Sequence, residues 1–348
     1  MRPITTKTVG TLLCTAGCFG LAFAPMLRFP LADRLVVVPV DQYTRTTLVG
    51  SGARYLDAAR MRMVENADVV ATSTLRGAPA SSNDDTAVWD YFTAVEDTAT
   101  GTDLDIRLWR MAIDRTSGHL RNCCGAAVGN DPTVPQSGLG MIWPLGDVDR
   151  RDYPVFDPTT RRTWTARFTG TRRVEGITAY TFVQRIEPTP VGRFRQLPGE
   201  LLGLDEDRSY DADRVYQATV TTWVDPRSGV PVDRHQHVIS TLRTTDGTDR
   251  LTVADLTLRM DPASRRRAAA ISRDTAAKIT LVRTTGPLVS AVLGLVLLGG
   301  GLAVSRRPLR RRGQHHLDPA SRPIAHDPLA ASAPPGAPAT VEPRDRTP

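Results

Sequence analysis

The sequence predicts a mainly β protein: an extracytoplasmic antiparallel β-sheet domain of curved sheets, in one or two lobes, set between N- and C-terminal transmembrane helices, with a helical stalk before the second. Three observations predict it. Two apolar runs lie near the ends, Val9 to Leu27 with 19 residues and Thr284 to Val304 with 21, and between Val9 and Met26 and between Thr284 and Val304 there is no Asp, Glu, Lys or Arg. The residues between them fall into short alternating or β-branched runs separated by turn chemistry. No stretch of ten or more residues in that central part holds a 3.6-residue apolar period, except an Ala-rich segment just before the second run.

In chain order, residues 1–8 carry Arg2 and Lys7 and form a short N-terminal segment before the first span, residues 9–27. At about 1.5 Å per residue each apolar run reaches roughly 28 to 31 Å as a helix, the thickness of a hydrocarbon core. Ala22-Phe23-Ala24 has the form of a leader-peptidase site, and Thr15-Ala16-Gly17-Cys18 that of a lipobox. Pro25 after the first, and the apolar run continuing past Cys18, favour a retained span. Arg306, Arg307, Arg310, Arg311 and Arg312 follow the second run. The positive-inside rule then places both termini in the cytoplasm and the central domain outside, in a two-pass protein of the cell membrane. Small residues four apart, Ala16 and Gly20 in one span and Ser290 and Gly294 in the other, predict close packing of the two helices.

The extracytoplasmic β domain is residues 28–262. Its predicted strands are Leu35 to Val40, Arg62 to Leu75, Ala87 to Glu96, Leu104 to Ile113, Thr163 to Phe168, Ala179 to Ile186, Val215 to Val224, His235 to Thr244 and Arg250 to Met260. Glu175-Gly176 and Asp246-Gly247 sit between strand patterns as hairpin turns. Two further turns share the pattern apolar-Asp-x-x-Ser-Gly-apolar, at MAIDRTSGHL (111–120) and TWVDPRSGVPV (222–232). In each the Asp, Asp114 or Asp225, accepts backbone N–H bonds, and the Gly, Gly118 or Gly229, supplies a positive φ. The Ala-rich residues 263–283 form the stalk, 284–304 the second span, and 305–348, rich in Pro and Ala, a disordered cytoplasmic tail.

Composition excludes several function classes. The chain of 348 residues has a formal net charge of +7, yet residues 28 to 264 hold 28 Arg against 32 Asp or Glu. The positive excess therefore flanks the apolar runs rather than covering the folded part, which argues against a nucleic-acid partner. No Gly-x-Ser-x-Gly, His-Glu-x-x-His or phosphate-binding Gly loop is present, so no enzyme and no cofactor is expected. His235 and His237 share one face of a strand without an evident third ligand, and Asp205-Glu206-Asp207 with Asp211 and Asp213 lacks the Gly and terminal Glu of a calcium loop, so no metal is expected. Trp143, Trp164 and Trp223 read as core.

Four cysteines remain. Cys14 and Cys18 lie within the first span. Cys123 and Cys124, adjacent in RNCCGAAVGN, are then the thiols of an oxidising compartment. Adjacent Cα atoms are about 3.8 Å apart across a trans peptide, under the usual disulfide range of about 4.4 to 6.8 Å, so a bond between them is strained and stiffens a turn. Reduced packing thiols and intermolecular bridging are the alternatives; the compartment favours the vicinal disulfide.

Two resemblances add to this reading. The segment Trp223 to Val232 resembles a hairpin of the LolA and LprG-like lipid carriers, which are curved antiparallel sheets holding acyl chains. Across nearly the whole chain, LVVVPVDQYTRTTLVGSGARYLD, TAVWDYFTAVED, MAIDRTSGHLRNCCG, SGLGMIWPLGDVDRRDYPVFDPTTRRTW and RRVEGITAYTFVQR, between two spans, resemble the actinobacterial DUF3068 family, also labelled the PorA-type porin family. The resemblance implies a component of the cell envelope and, by the label, a porin-related one. Two function classes follow: a membrane-anchored module binding an apolar or lipid-like envelope ligand, a lipid or lipoglycan, or a structural protein whose head contacts an envelope protein. An apolar cavity of several hundred Å³ separates them from each other.

Overall fold

The computed structural model describes residues 6–306. It opens on helix α1 (Thr6–Met26), a wide turn (Leu27–Leu31) and the short α2 (Ala32–Leu35), and it ends on α3 (Pro262–Thr280), a second wide turn (Leu281–Thr285) and α4 (Gly286–Ser305). Between them are twelve strands: β1 (Tyr43–Asp57), β2 (Arg62–Gly77), β3 (Thr86–Asp97), β4 (Asp103–Asp114), β5 (Leu120–Arg121), β6 (Ala127–Val128), β7 (Tyr153–Asp157), β8 (Arg162–Val174), β9 (Ile177–Pro198), β10 (Ser209–Val224), β11 (Pro231–Thr244) and β12 (Asp249–Met260).

The strands form one antiparallel sheet in the order β5-β4-β3-β2-β1-β12-β11-β10-β9-β8-β7, with β6 also on β4. The sheet curls into a half-barrel. Room for two lobes is therefore not used: β1 pairs with β12, Leu48 opposite Met260 and Tyr55 opposite Ala254, and joins the first and last strands of the domain at its middle. The register of β1 slips between Val49 and Arg54, a bulge that sharpens twist where the sheet must bend. Gly50 permits the approach there, since a Cβ would stand 2.3 Å from the Thr257 carbonyl oxygen. The two far edges of the curled sheet meet at residues 138–140. Leu120 N–H donates to the Gly138 carbonyl, Leu139 N–H to that of Pro154, and Phe156 N–H to that of Leu139.

One expected strand is absent, and others form where none was expected. Leu35 to Val40 makes no ladder: Leu35 ends α2, and Val36 and Val38 are buried while the chain runs extended to β1. Its polar groups go to loops instead, Val38 N–H to the Arg115 carbonyl and the Trp89 indole to the Pro39 carbonyl, and Pro39 has no N–H to offer a neighbour. Conversely β1 and β7 form although no strand was expected there; Thr, Arg and Gly dominate β1, and its burial comes from neighbours on both sides.

The helices have plain causes. Asp261 caps α3 by accepting the N–H groups of Ala263 and Ser264. The described helical segments Lys7–Leu35 and Pro262–Ser305 are long and apolar enough to cross a membrane. They pack through glycine. A Cβ on Gly17 would stand 2.8 Å from the Gly294 carbonyl, one on Gly20 3.1 Å from that of Ser290, and one on Gly301 2.8 Å from that of Gly10. Ser290 Oγ donates to the Gly20 carbonyl at 2.9 Å. Of the small residues expected at this contact Gly20, Ser290 and Gly294 take part, but Ala16 is exposed and Gly17 holds its place. Cys14 faces α4, with its sulfur 3.9 Å from the Leu298 carbonyl, whereas Cys18 is exposed. The tail expected to be disordered lies, beyond Arg306, outside the described residues.

Candidate functional site

The concave face of the sheet encloses a cavity of about 250 Å³. Strand periodicity builds it, because successive side chains alternate between faces. Thr44, Thr46 and Leu48 of β1, Ala71, Ser73 and Leu75 of β2, and Trp89, Tyr91, Thr93 and Val95 of β3 all line it. So do Arg107 and Trp109 of β4, Thr222 of β10, and Arg234 and Gln236 of β11. Phe156, Phe182 and the 140–143 loop with Trp143 complete an aromatic wall, in which Trp109 and Phe156 centroids lie 5.7 Å apart and Trp143 and Phe182 4.2 Å apart. Aromatic pairs at such spacing add to plain burial. The volume approaches the about 300 to 1,000 Å³ of small-molecule sites.

Gln42, Thr44, Val230, Pro231 and the α3 residues Ala268 and Ile271 also line the space. The cavity therefore reaches α3 and the end of the sheet from which both helices leave, where Ile271 is 36% exposed. A latch holds α3 there. Asp225, fully buried, accepts from the Arg227 backbone N–H at 3.0 Å, from Arg227 Nε at 3.0 Å and from Ser272 Oγ of α3 at 2.7 Å. Ser228 and Ser272 hydroxyls share a further bond at 2.9 Å. Burial raises the Asp225 pKa, but these donors, Arg227 first, hold it below its ordinary value.

The cavity wall mixes polar with apolar groups, and among the described lining residues one buried polar side-chain atom, Arg234 Nε, lacks a hydrogen-bond partner. Tyr91 donates to Ser73 Oγ at 2.9 Å, and the Ser73 and Thr93 hydroxyls share a bond of 2.9 Å. Gln184 Nε2 donates to the Val155 carbonyl at 2.8 Å, and the Trp109 indole to Gln136 Oε1 at 2.8 Å. Asp157 accepts the Thr160 N–H and hydroxyl, at 2.7 and 2.8 Å. Arg107 pairs with Asp105 and sits 6.0 Å from the Tyr216 ring centroid. Burial opposes the Arg107 cation, but Asp105, Tyr216 and Asp157 outweigh it and keep it charged. Tyr216 is pushed above its ordinary value, by burial first, with Arg107 and Arg234 pulling the other way. Arg234 is the exception. Its Nε is buried without a hydrogen-bond partner, and among the described residues its guanidinium forms no ion pair.

Apart from Trp143, the residues singled out in the sequence lie around this cavity rather than in it. Asp114 accepts the N–H groups of Thr116 and Ser117 at 3.0 and 2.7 Å, and Gly118 has φ +77°. Asp225 and Gly229, φ +74°, form the equivalent turn between β10 and β11. Cys123 and Cys124 are free, exposed and adjacent in a turn closed by Ala126 N–H to the Cys123 carbonyl, with Cys124 at φ +59° and Gly125 at φ +78°. Local desolvation and the Cys124 thiol beside it hold Cys123 above its ordinary pKa. His237 Nε2 meets Asp255 Oδ1 at 2.8 Å, while Gln236 between the two histidines turns into the cavity. No cluster of three His, Cys, Asp or Glu able to hold a metal occurs among the described residues. Trp143 lines the cavity rather than serving only as core. Arg107 and Arg234 were missed, though a pattern existed: Arg234 and Gln236 share strand parity with Val238, Ser240 and Leu242, which are all buried.

No curated protein matches the chain. One family model, described as Porin PorA, matches residues 9–303, which take in the whole β domain and all but the outermost residues of the two membrane-compatible helices. The chain is a membrane protein of the cell envelope and belongs to the Porin PorA family.

Proposed function

We propose that this protein is a non-catalytic, two-pass module whose extracytoplasmic head holds an apolar or lipid-like envelope ligand in the cavity of the curled sheet. The observation that carries this is the aromatic wall of Trp89, Trp109, Trp143, Phe156 and Phe182 around a space that reaches α3, the helix leading into the second membrane-compatible segment. The convex face argues against a pore formed by this sheet: Arg45, Arg54 and Glu65 stand on it exposed, where a transmembrane barrel needs an unbroken apolar band. Native mass spectrometry of the full chain, extracted from its own membrane in a non-ionic detergent, should show a bound lipid mass that survives detergent exchange. A bare chain mass, with exogenous fatty acid also failing to add, would refute the reading.

One observation favours a second role. On the convex face Phe92, Ile106 and Leu108 are 41, 55 and 48% exposed, and Phe92 lies directly opposite Leu108 in the β3–β4 ladder. Such a patch suits contact with an envelope protein.

A head outside the cytoplasm carries an expectation for the cysteines. In an oxidising compartment Cys123 and Cys124 are expected to be joined in most molecules, because no third thiol of the head competes. Replacing both by Ser is expected to cost no more than about 1 to 2 kcal/mol, since the closed loop is minimal. Intact mass after alkylation, with and without prior reduction, measures this: two alkylated thiols in freshly isolated, unreduced protein would contradict both the pairing and its premise.

A further inference from the structure

We infer that the occupant of the cavity is an anionic amphiphile, an acyl chain ending in a carboxylate or phosphate, with the anionic group on Arg234 and the chain along the aromatic wall. This rests on the ligand reading above and narrows it. An unpaired guanidinium on the wall of a largely apolar space is costly, and natural cores pair such a charge. Here every other charged group facing the space has its partner. Arg107 has Asp105, and Asp157 has the Thr160 N–H and hydroxyl. Among the described charged lining residues Arg234 alone has no protein partner: its Nε is buried and unbonded, while the side chain as a whole is half-buried and free to turn its fork to a ligand.

The surroundings select the rest of the ligand. In the ladders Arg234 stands opposite Thr222 of β10, and Thr222 opposite Phe182 of β9. The cavity wall beside it therefore carries a hydroxyl next to the cation and an aromatic face beyond. A guanidinium recognises carboxylate or phosphate oxygens in a forked, two-bond geometry, and a neighbouring hydroxyl adds a third donor. Trp89, Trp109 and Trp143, which also line the space, offer no charge and suit a hydrocarbon chain. A neutral lipid would fill the same walls and leave the cation unpaired.

Those three tryptophans make a local reporter, since Trp164 and Trp223 do not line the cavity. The full chain in phosphatidylcholine nanodiscs is titrated with 9,10-dibromostearic acid, with its methyl ester, and with a brominated lysophosphatidic acid, and tryptophan quenching is followed. The acid or the phosphate, or both, is expected to quench at a concentration at least about tenfold below the ester; which one does so tells a fatty acid from a phospholipid-type head. Arg234→Met should move the anion curve onto that of the ester, while Arg234→Lys keeps most of the difference. Equal quenching by acid, phosphate and ester in the wild type, or an unchanged preference in Arg234→Met, overturns the anion while leaving a cavity ligand in place. Absence of quenching by all three overturns both. Because Arg234→Met removes an unpaired charge, its melting temperature should stay level or rise, which separates lost binding from lost fold.

Discussion

Asp225→Ala is expected to lower the melting temperature of the full-length protein by about 5 to 10 °C, the equivalent of roughly 2 to 3 kcal/mol for a head of this size. The loss comes less from the Arg227 ion pair, since Arg227 is largely exposed and water takes over its donors. It comes from the Arg227 N–H, which loses its acceptor inside the turn, and from the Ser272 hydroxyl, which keeps only the Ser228 hydroxyl as partner. With them goes the attachment of α3 to the β10–β11 turn, so protease cleavage within Pro262–Thr280 should appear at temperatures where the wild type resists. Asp225→Asn keeps an acceptor and should lose only about 1 kcal/mol. The two also differ with pH. The Asp225 pKa is depressed on folding from its ordinary 3.8, so its contribution is fully present above that value and fades as pH falls through the lower folded value. Melting curves between pH 6 and pH 2 should therefore fall more steeply for the wild type than for Asp225→Asn at the acid end. Parallel curves would show that the latch does not depend on the carboxylate.

Gly229→Ala is expected to cost about 3 kcal/mol or more, while Gly118→Ala, in a turn of the same sequence pattern, costs about 1 to 2 kcal/mol. Both glycines have positive φ, +74° and +77°, so both substitutions carry the left-handed penalty. Only Gly229 carries more. A Cβ there would stand 2.6 Å from the Trp143 carbonyl oxygen and 2.7 Å from that of Pro144, both backbone atoms that no rotamer change removes. The nearest atom to a Cβ on Gly118 is 3.8 Å away. Relief at Gly229 requires moving the 141–147 segment, which carries Trp143 of the cavity wall and which Arg283 holds through the Leu145 and Gly146 carbonyls. Gly229→Ala should consequently also blunt ligand-dependent quenching, whereas Gly118→Ala should leave it intact. Equal melting temperatures for the two variants would refute the close approach.

That pair of glycines marks the line between what was legible and what was not. Features whose physics is local could be read from the residues alone. Apolar runs of 19 and 21 residues are helices of bilayer length whatever surrounds them, and Asp261 and the Ala-rich segment after it start a helix from their own hydrogen bonding. Alternation of period two located eight of the nine predicted strands, and Glu175-Gly176 and Asp246-Gly247 closed their hairpins, because these depend on residues a few positions apart. The turns at Asp114 and Asp225 read alike for the same reason. Tertiary structure decided everything that depends on partners far along the chain. Leu35 to Val40 has strand composition but ends beside loops at a proline, and β1 has Thr, Arg and Gly yet becomes the middle strand once β12, some two hundred residues on, supplies its second ladder. An Arg on a strand reads as a solvent-facing residue. Arg234 faces inward only because the sheet curls and residues 138–140 bridge its two edges, and that curvature is a sum of twists and bulges over twelve strands that no local window contains.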